Sequence, residues 1–140
     1  CASAHPSDVA AALVALGGRL RTTRRELAVE ELYRLPDESD RRTTTLEPDE
    51  LLLELDLPPV EASVYLKAMD RKRWAFPQVG VAAARAGGEM RFALAGVAPI
   101  PWRIDGERAL DDATPLPRTA WKATVARALI RRAAAALDAG

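Results

Sequence analysis

The sequence predicts an α+β fold, in which a short helix and a few strands precede a small antiparallel sheet packed with helices. Three observations carry that prediction. Leu51, Leu53, Leu55 and Leu57 alternate along one stretch, the period of a strand with one apolar face. Gly87-Gly88 divides two apolar runs as a two-residue hairpin turn does. Between residues 119 and 137 an alanine-rich segment sets Trp121, Val125, Leu129 and Ala133 on one helical stripe.

Taken in order, Ser7 after Pro6 is a favourable N-cap and Asp8 complements the positive end of a helix. Val9, Leu13 and Leu16 recur at helical spacing until Gly17-Gly18 ends the run. Residues 19–23 and 26–29 read as short strands, residues 30–35 as a helical turn stopped by Pro36, and residues 37–42 as a polar surface loop. The strand at 51–57 follows the turn-like Glu47-Pro48-Asp49-Glu50 and closes at Pro58-Pro59. Its second face carries Leu52, Glu54 and Asp56, so Leu52 is either covered by a partner or simply exposed. The stiff, aperiodic stretch from Pro58 to Ser63 is the natural boundary between two lobes. The second lobe reads as strands at 64–69, 79–84 and 90–97, broken by Pro99 and Pro101, with the alanine-rich helix lying across the sheet.

At 140 residues, 49% of them hydrophobic, the chain is sized for one compact core or two small lobes. Twenty basic and twenty acidic side chains cancel, which excludes the global field that draws a protein onto nucleic acid or an anionic membrane. Arg71-Lys72-Arg73 beside Trp74 is too short for a nucleic-acid patch and reads as a turn whose charges pair with nearby acids. The lone cysteine, Cys1, has no internal disulfide partner, and no ligand spacing surrounds the lone histidine, so His5 is read as structural and no protein-bound metal is expected. Arg127, Arg131 and Arg132 read as the wet face of the last helix. No apolar run approaches the ~20 residues that span a bilayer and no leader pattern opens the chain, so a soluble, cytoplasmic protein is expected. A start at Cys1, entering a helix signal almost at once, gives the further expectation of a fragment.

Four segments stand out together: His5-Pro6-Ser7-Asp8; Leu46-Glu47-Pro48-Asp49-Glu50-Leu51-Leu52; Tyr65-Leu66-Lys67 with Asp70-Arg71; and Ala95-Gly96-Val97-Ala98-Pro99 with Pro101-Trp102-Arg103. In this order and spacing they resemble the FAD-carrying subunit of the xanthine dehydrogenase and carbon monoxide dehydrogenase family of molybdenum hydroxylases, over essentially the whole chain. The resemblance implies that residues 1–60 form the carboxy-terminal part of the second subdomain of a PCMH-type FAD-binding domain. Residues 63–140 would form a domain like the C-terminal one of the carbon monoxide dehydrogenase flavoprotein. The family's glycine-rich segments, whose amides hold the pyrophosphate, have no counterpart here. Relatives also carry a helical segment where this sequence runs from Leu110 straight into Asp111-Asp112.

By the same resemblance, Ser7 and Asp8 meet the ribityl and phosphate region of FAD, Leu52 packs on the cofactor, and Lys67 approaches the isoalloxazine ring. Helix capping alone also accounts for Ser7 and Asp8, and Lys67 alternates with Val64, Leu66 and Ala68 as a solvated strand face would. No residue is assigned a catalytic role as acid, base or nucleophile. The implied function is electron transfer through FAD from iron–sulfur centres to an acceptor, with an iron–sulfur subunit and a molybdenum-cofactor subunit as partners. The alternative is a non-catalytic assembly module that docks the flavin subunit to those partners.

Overall fold

The computed structural model describes residues 4–139, so Cys1 lies outside the described residues. Helix α1 spans Asp8–Leu16. It begins where the sequence places it: the Ser7 hydroxyl accepts from the Ala10 amide at 3.1 Å. It ends at Gly17, whose φ of 72° is the left-handed conformation that glycine adopts without penalty. There the Gly17 and Gly18 amides donate to the Val14 and Leu13 carbonyls and close the last turn.

Two antiparallel sheets follow. In the first, β1 (Arg19–Thr22) lies between β2 (Glu26–Ala28) and β3 (Leu52–Asp56). A 3-10 turn over Val29–Leu32 stands where the sequence suggested a slightly later helical turn. The second sheet is a meander of β4 (Ala62–Ala68), β5 (Val79–Ala86), β6 (Glu89–Ala95) and β7 (Trp102–Ile104). Gly87 and Gly88, at φ 59° and 77°, make the β5–β6 turn that the sequence predicts. Strand β7 was not anticipated, since three residues framed by prolines carry too little periodicity to be read. Helix α2 covers Trp121–Asp138, and a 3-10 turn over Glu107–Leu110 stands where relatives were expected to carry a helical segment.

Alternation along β5 and β6 separates the two faces of the large sheet. Val79, Val81, Phe92 and Leu94 are buried with Ala126, Leu129, Ile130, Ala133 and Leu137 of α2. On the other face Ala82, Ala93 and Ala95 meet Ala11, Val14 and Ala15 of α1, together with Leu20, Leu27, Val29 and Leu32 from the first half of the chain. Small residues on both surfaces let the helix axis approach the sheet closely, and the core on this face is therefore built from both halves of the sequence.

Three packing expectations are corrected. Helix α1 buries Ala10, Ala11, Val14 and Ala15 and leaves Val9 exposed, because the surface it meets accepts alanines. Helix α2 keeps Leu129 and Ala133 in the core but adds Ala126, Ile130 and Leu137 and leaves Trp121 half-exposed. A strict four-residue spacing drifts by about 40° per step around a helix, so the contact stripe must move to other positions. In β3 both faces are exposed, Leu53 to 55% and Leu52 to 46%, because the strand pairs only with β1 and nothing among the described residues covers it.

One charge reading also changes. None of Arg71, Lys72 and Arg73 forms an ion pair among the described residues. Asp70 instead accepts from Gln78, and the Arg71 guanidinium donates to the Trp74 carbonyl at 2.8 Å. Arg131 and Arg132 lie exposed on the wet face of α2, as expected, and Arg127 is half-buried; Arg127 and Arg131 also reach the Glu107 carbonyl and the Asp111 and Glu107 carboxylates, tying the 3-10 turn to α2.

Leu94→Ala, which empties a fully buried position, is expected to cost about 2–5 kcal/mol in urea unfolding. Leu53→Ala is expected to stay within about 0.5 kcal/mol of the parent.

Candidate functional site

The first residues of α1 meet strand β4 at one carboxylate. Tyr65 and Lys67 lie two apart on β4 and so share a face, the one turned toward α1. The Tyr65 hydroxyl donates to Asp8 Oδ1 at 2.6 Å, and Lys67 Nζ donates to Asp8 Oδ2 at 2.6 Å. Lys67 also donates to the Ala75 carbonyl at 3.1 Å, which draws the β4–β5 loop into the cluster. Asp8 thus complements the helix N-terminus and ties α1 to the sheet at once. Burial, and then the bond to the Asp8 carboxylate, push the Tyr65 hydroxyl well above its ordinary range, so it remains a donor throughout physiological pH.

Gly80 makes this arrangement possible. A Cβ there would lie 2.2 Å from the Tyr65 hydroxyl oxygen, so only glycine leaves room for the ring to cross β5 toward Asp8. The segment entering α1 is fixed independently. The His5 amide donates to Ala98 O at 2.7 Å, and the Gly96 amide donates to His5 O at 2.8 Å. The His5 ring meets Tyr33 edge-on at 5.3 Å, and burial lowers its pKa, which keeps it neutral.

A second polar cluster fixes the turn before β3. Glu50, only 5% exposed, accepts from Thr22 Oγ1 at 2.7 Å, from Arg25 Nε at 2.9 Å and from the Glu47 amide at 3.1 Å. Arg25, Thr22 and the Glu47 amide, in that order, hold the Glu50 carboxyl down at about 2. The turn delivers Leu52 to the start of β3, opposite Thr22.

Of the four residues singled out in the sequence, Asp8 and Lys67 are joined directly and Ser7 precedes Asp8 as its cap. Leu52 stands on the small sheet and shares no hydrogen bond or buried cluster with them. Sequence reasoning gave no role to Tyr65, Gly80 or Glu50. The tyrosine had a readable signal, a polar-tipped residue two before a lysine on one strand face, whereas the glycine and the glutamate act through distant partners. Two shallow grooves, of about 140 and 290 Å³, lie along α1, and neither is lined by Asp8, Leu52 or Lys67. Among the described residues no group of three His, Cys, Asp or Glu side chains is placed to hold a metal ion, and no helix is long and apolar enough to cross a membrane.

Glu50 makes stability depend on acid. Its folded pKa lies below the ordinary 4.5, so the stabilisation is fully present above that pH and is lost as pH falls toward 2. Glu50→Gln is expected to be less stable near neutrality and to lose this part of the acid dependence in urea unfolding; an unchanged pH slope contradicts the assignment. Tyr65→Phe is expected to cost about 1 kcal/mol and Gly80→Ala about 1–3 kcal/mol. Because the clash at position 80 is with the hydroxyl, Gly80→Ala should cost less in the Tyr65→Phe background, a coupling that a double-mutant cycle measures.

No family model matches the chain. The aldehyde oxidoreductase FAD-binding subunit PaoB of Escherichia coli (strain K12) is 36% identical over 117 residues, an alignment taking in 78% of this chain and 37% of that protein. The chain therefore spans little more than a third of the length of this curated relative. Among solved structures, a chain of carbon monoxide dehydrogenase from Hydrogenophaga pseudoflava superimposes with a TM-score of 0.75 at 19% identity, covering 94% of this chain and 56% of that one. A chain of quinoline 2-oxidoreductase from Pseudomonas putida 86 gives 0.67 at 17% identity, covering 93% and 55%. The structural likenesses show the shared fold, and with the PaoB match they make this chain a member of the family of FAD-binding subunits of xanthine dehydrogenase and carbon monoxide dehydrogenase type, of which it spans a part.

Proposed function

We propose that the chain is part of an FAD-dependent electron-transfer subunit of a molybdenum hydroxylase, taking electrons from iron–sulfur centres and delivering them to an acceptor. The observation that carries this reading is the 36% identity to an FAD-binding subunit, in a chain whose N-terminal helix presents Asp8 beside Lys67. In this reading residues 1–60 complete an FAD-binding subdomain and residues 63–140 form the second domain. The glycine-rich half that grips the pyrophosphate lies in the remainder of the subunit. The iron–sulfur clusters and the molybdenum cofactor belong to partner subunits, and the complex is cytoplasmic.

The residues present suit one end of the cofactor. Each Asp8 oxygen accepts one bond within the protein, which leaves lone pairs for ribityl hydroxyls, and both Asp8 and Lys67 are partly open to solvent. The exposed Leu52 offers an apolar surface for the ring system. A pyrophosphate cradle is not among these residues, since Gly87-Gly88 is a hairpin turn with open space around it. When bound, FAD supplies the exchange of electrons between two-electron and one-electron partners. The chain's own contribution is to place and tune. Ser7 fixes the start of α1, Tyr65 holds the Asp8 carboxylate in one orientation, and Lys67 carries a positive charge that favours negative charge on a reduced ring. Asp8 tempers that charge by pairing with it.

A second reading, an assembly module that docks the flavin subunit to its partners, is favoured by the open leucine surface of β3. The two readings separate in the full-length subunit reconstituted with FAD. The flavin reading expects a yellow protein in which Lys67→Met lowers the flavin midpoint potential, while Asp8→Asn raises it and weakens FAD retention. A protein that stays colourless contradicts this reading, as does a potential that neither substitution moves.

A further inference from the structure

Strand β5 lies inside the large sheet, and its buried stretch is valine and alanine except at Gly80. A glycine within a strand packs nothing and costs about 0.5–1 kcal/mol against alanine. Here the space it leaves is filled by the Tyr65 hydroxyl. Across the β4–β5 ladder Tyr65 stands opposite Ala82, and Lys67 stands opposite Gly80. The tyrosine ring therefore leans diagonally along the sheet, from its own partner onto the partner of Lys67, and its oxygen occupies the room that a Cβ at position 80 would need. The Ala95 Cβ borders the same space.

A phenol packed over glycine and alanine needs a partner for its O–H. It donates to Asp8 Oδ1, while Lys67 donates to Asp8 Oδ2. The two donors compete for one carboxylate charge. A hydrogen bond to a carboxylate stabilises its negative charge on the side of the donor, so the share that Tyr65 holds is withheld from Lys67. With Oδ1 engaged, Asp8 meets the ammonium through a single oxygen.

We propose that Tyr65 is a positioning residue for the redox potential of the subunit's flavin, acting through Asp8 to set how much of the Lys67 charge remains for the reduced ring. This role of Tyr65 rests on the proposed flavin reading, since it needs the ring beside Lys67. Gly80 belongs to the same device, because any larger residue there displaces the hydroxyl. Without the hydroxyl, Asp8 is free to close on Lys67 with both oxygens. The ammonium is then more fully neutralised, and negative charge on the reduced ring loses stabilisation. Loss of the hydroxyl therefore lowers the potential. A tyrosine that only braced α1 against the sheet would change stability and leave the potential where it was.

The test is a redox titration of the full-length subunit loaded with FAD. Tyr65→Phe is expected to weaken the preference for reduced over oxidised flavin about tenfold, the effect of one hydrogen bond to a charged group, which is about 30 mV for a two-electron couple. Gly80→Ala should move the potential the same way, and so reads the shift even if Tyr65→Phe holds no flavin. The double variant should go no further than the larger single one, because both remove the same contact. In a Lys67→Met background Tyr65→Phe should leave the potential nearly unmoved. Val14→Ala, which loosens α1 from the same face of the sheet without touching a charge, should lower stability and leave the potential in place. In the subunit without FAD, the phenolate absorbance lost in Tyr65→Phe should belong to a group ionising well above the ordinary tyrosine range.

A potential that Tyr65→Phe leaves unmoved or raises, while Lys67→Met still lowers it, overturns the role of Tyr65 alone. So does an equal shift in Val14→Ala, or a Tyr65 phenol that ionises in the ordinary range. A subunit that stays colourless, or whose potential ignores Lys67→Met, overturns the flavin reading and this role with it.

Discussion

A single carboxylate sets the geometry of the N-terminal region. Asp8 accepts one bond from Tyr65 and one from Lys67, and these two bonds fix the start of α1 against strand β4. Much of the local sequence serves that junction. Ser7 starts the helix one residue earlier, His5 bonds to Gly96 and Ala98 at the end of β6, and Gly80 leaves space for the tyrosine. The alanines on α1 and on β5 and β6 keep helix and sheet close enough for the bonds to form. With Lys67 also holding the Ala75 carbonyl, the helix, the sheet and the β4–β5 loop converge on a pair of opposite charges.

The small sheet has a different physical character. Its anchor is the buried Glu50, satisfied by Thr22, Arg25 and the Glu47 amide, while its outer strand leaves leucines open on both faces. The turn is secured by a fully bonded carboxylate and delivers a strand that nothing among the described residues covers. The chain spans 37% of PaoB and just over half of the solved chains of the same fold.

What the sequence made legible was mostly local. Ser7 and Gly17 announce the ends of α1 because capping is chemistry within one turn, and Gly87-Gly88 announces a hairpin because its backbone angles require glycine. The α+β class and all strands but β7 follow from alternation. Burial was less readable. Apolar size pointed to Val9 and Trp121, whereas the faces they compete for were shaped by alanines on distant strands. The leucine alternation of β3 announced a strand without saying whether anything lay against it. In the site, Asp8 and Lys67 were singled out by family resemblance, and no spacing in the chain pairs residues so far apart. Tyr65 and Glu50 went without roles because their partners lie 57 and 28 residues away. Leu52 was named by the same resemblance, but its own strand leaves it facing solvent.

We propose that the Asp8–Lys67 pair borders the flavin of the full-length subunit. A crystal structure of that subunit loaded with FAD is the decisive check. The Asp8 carboxylate and the Lys67 ammonium are expected within hydrogen-bond reach of the cofactor, about 3 Å, with Leu52 in contact with its ring. A flavin seated elsewhere, with the pair still closed on itself and facing solvent, would overturn this reading.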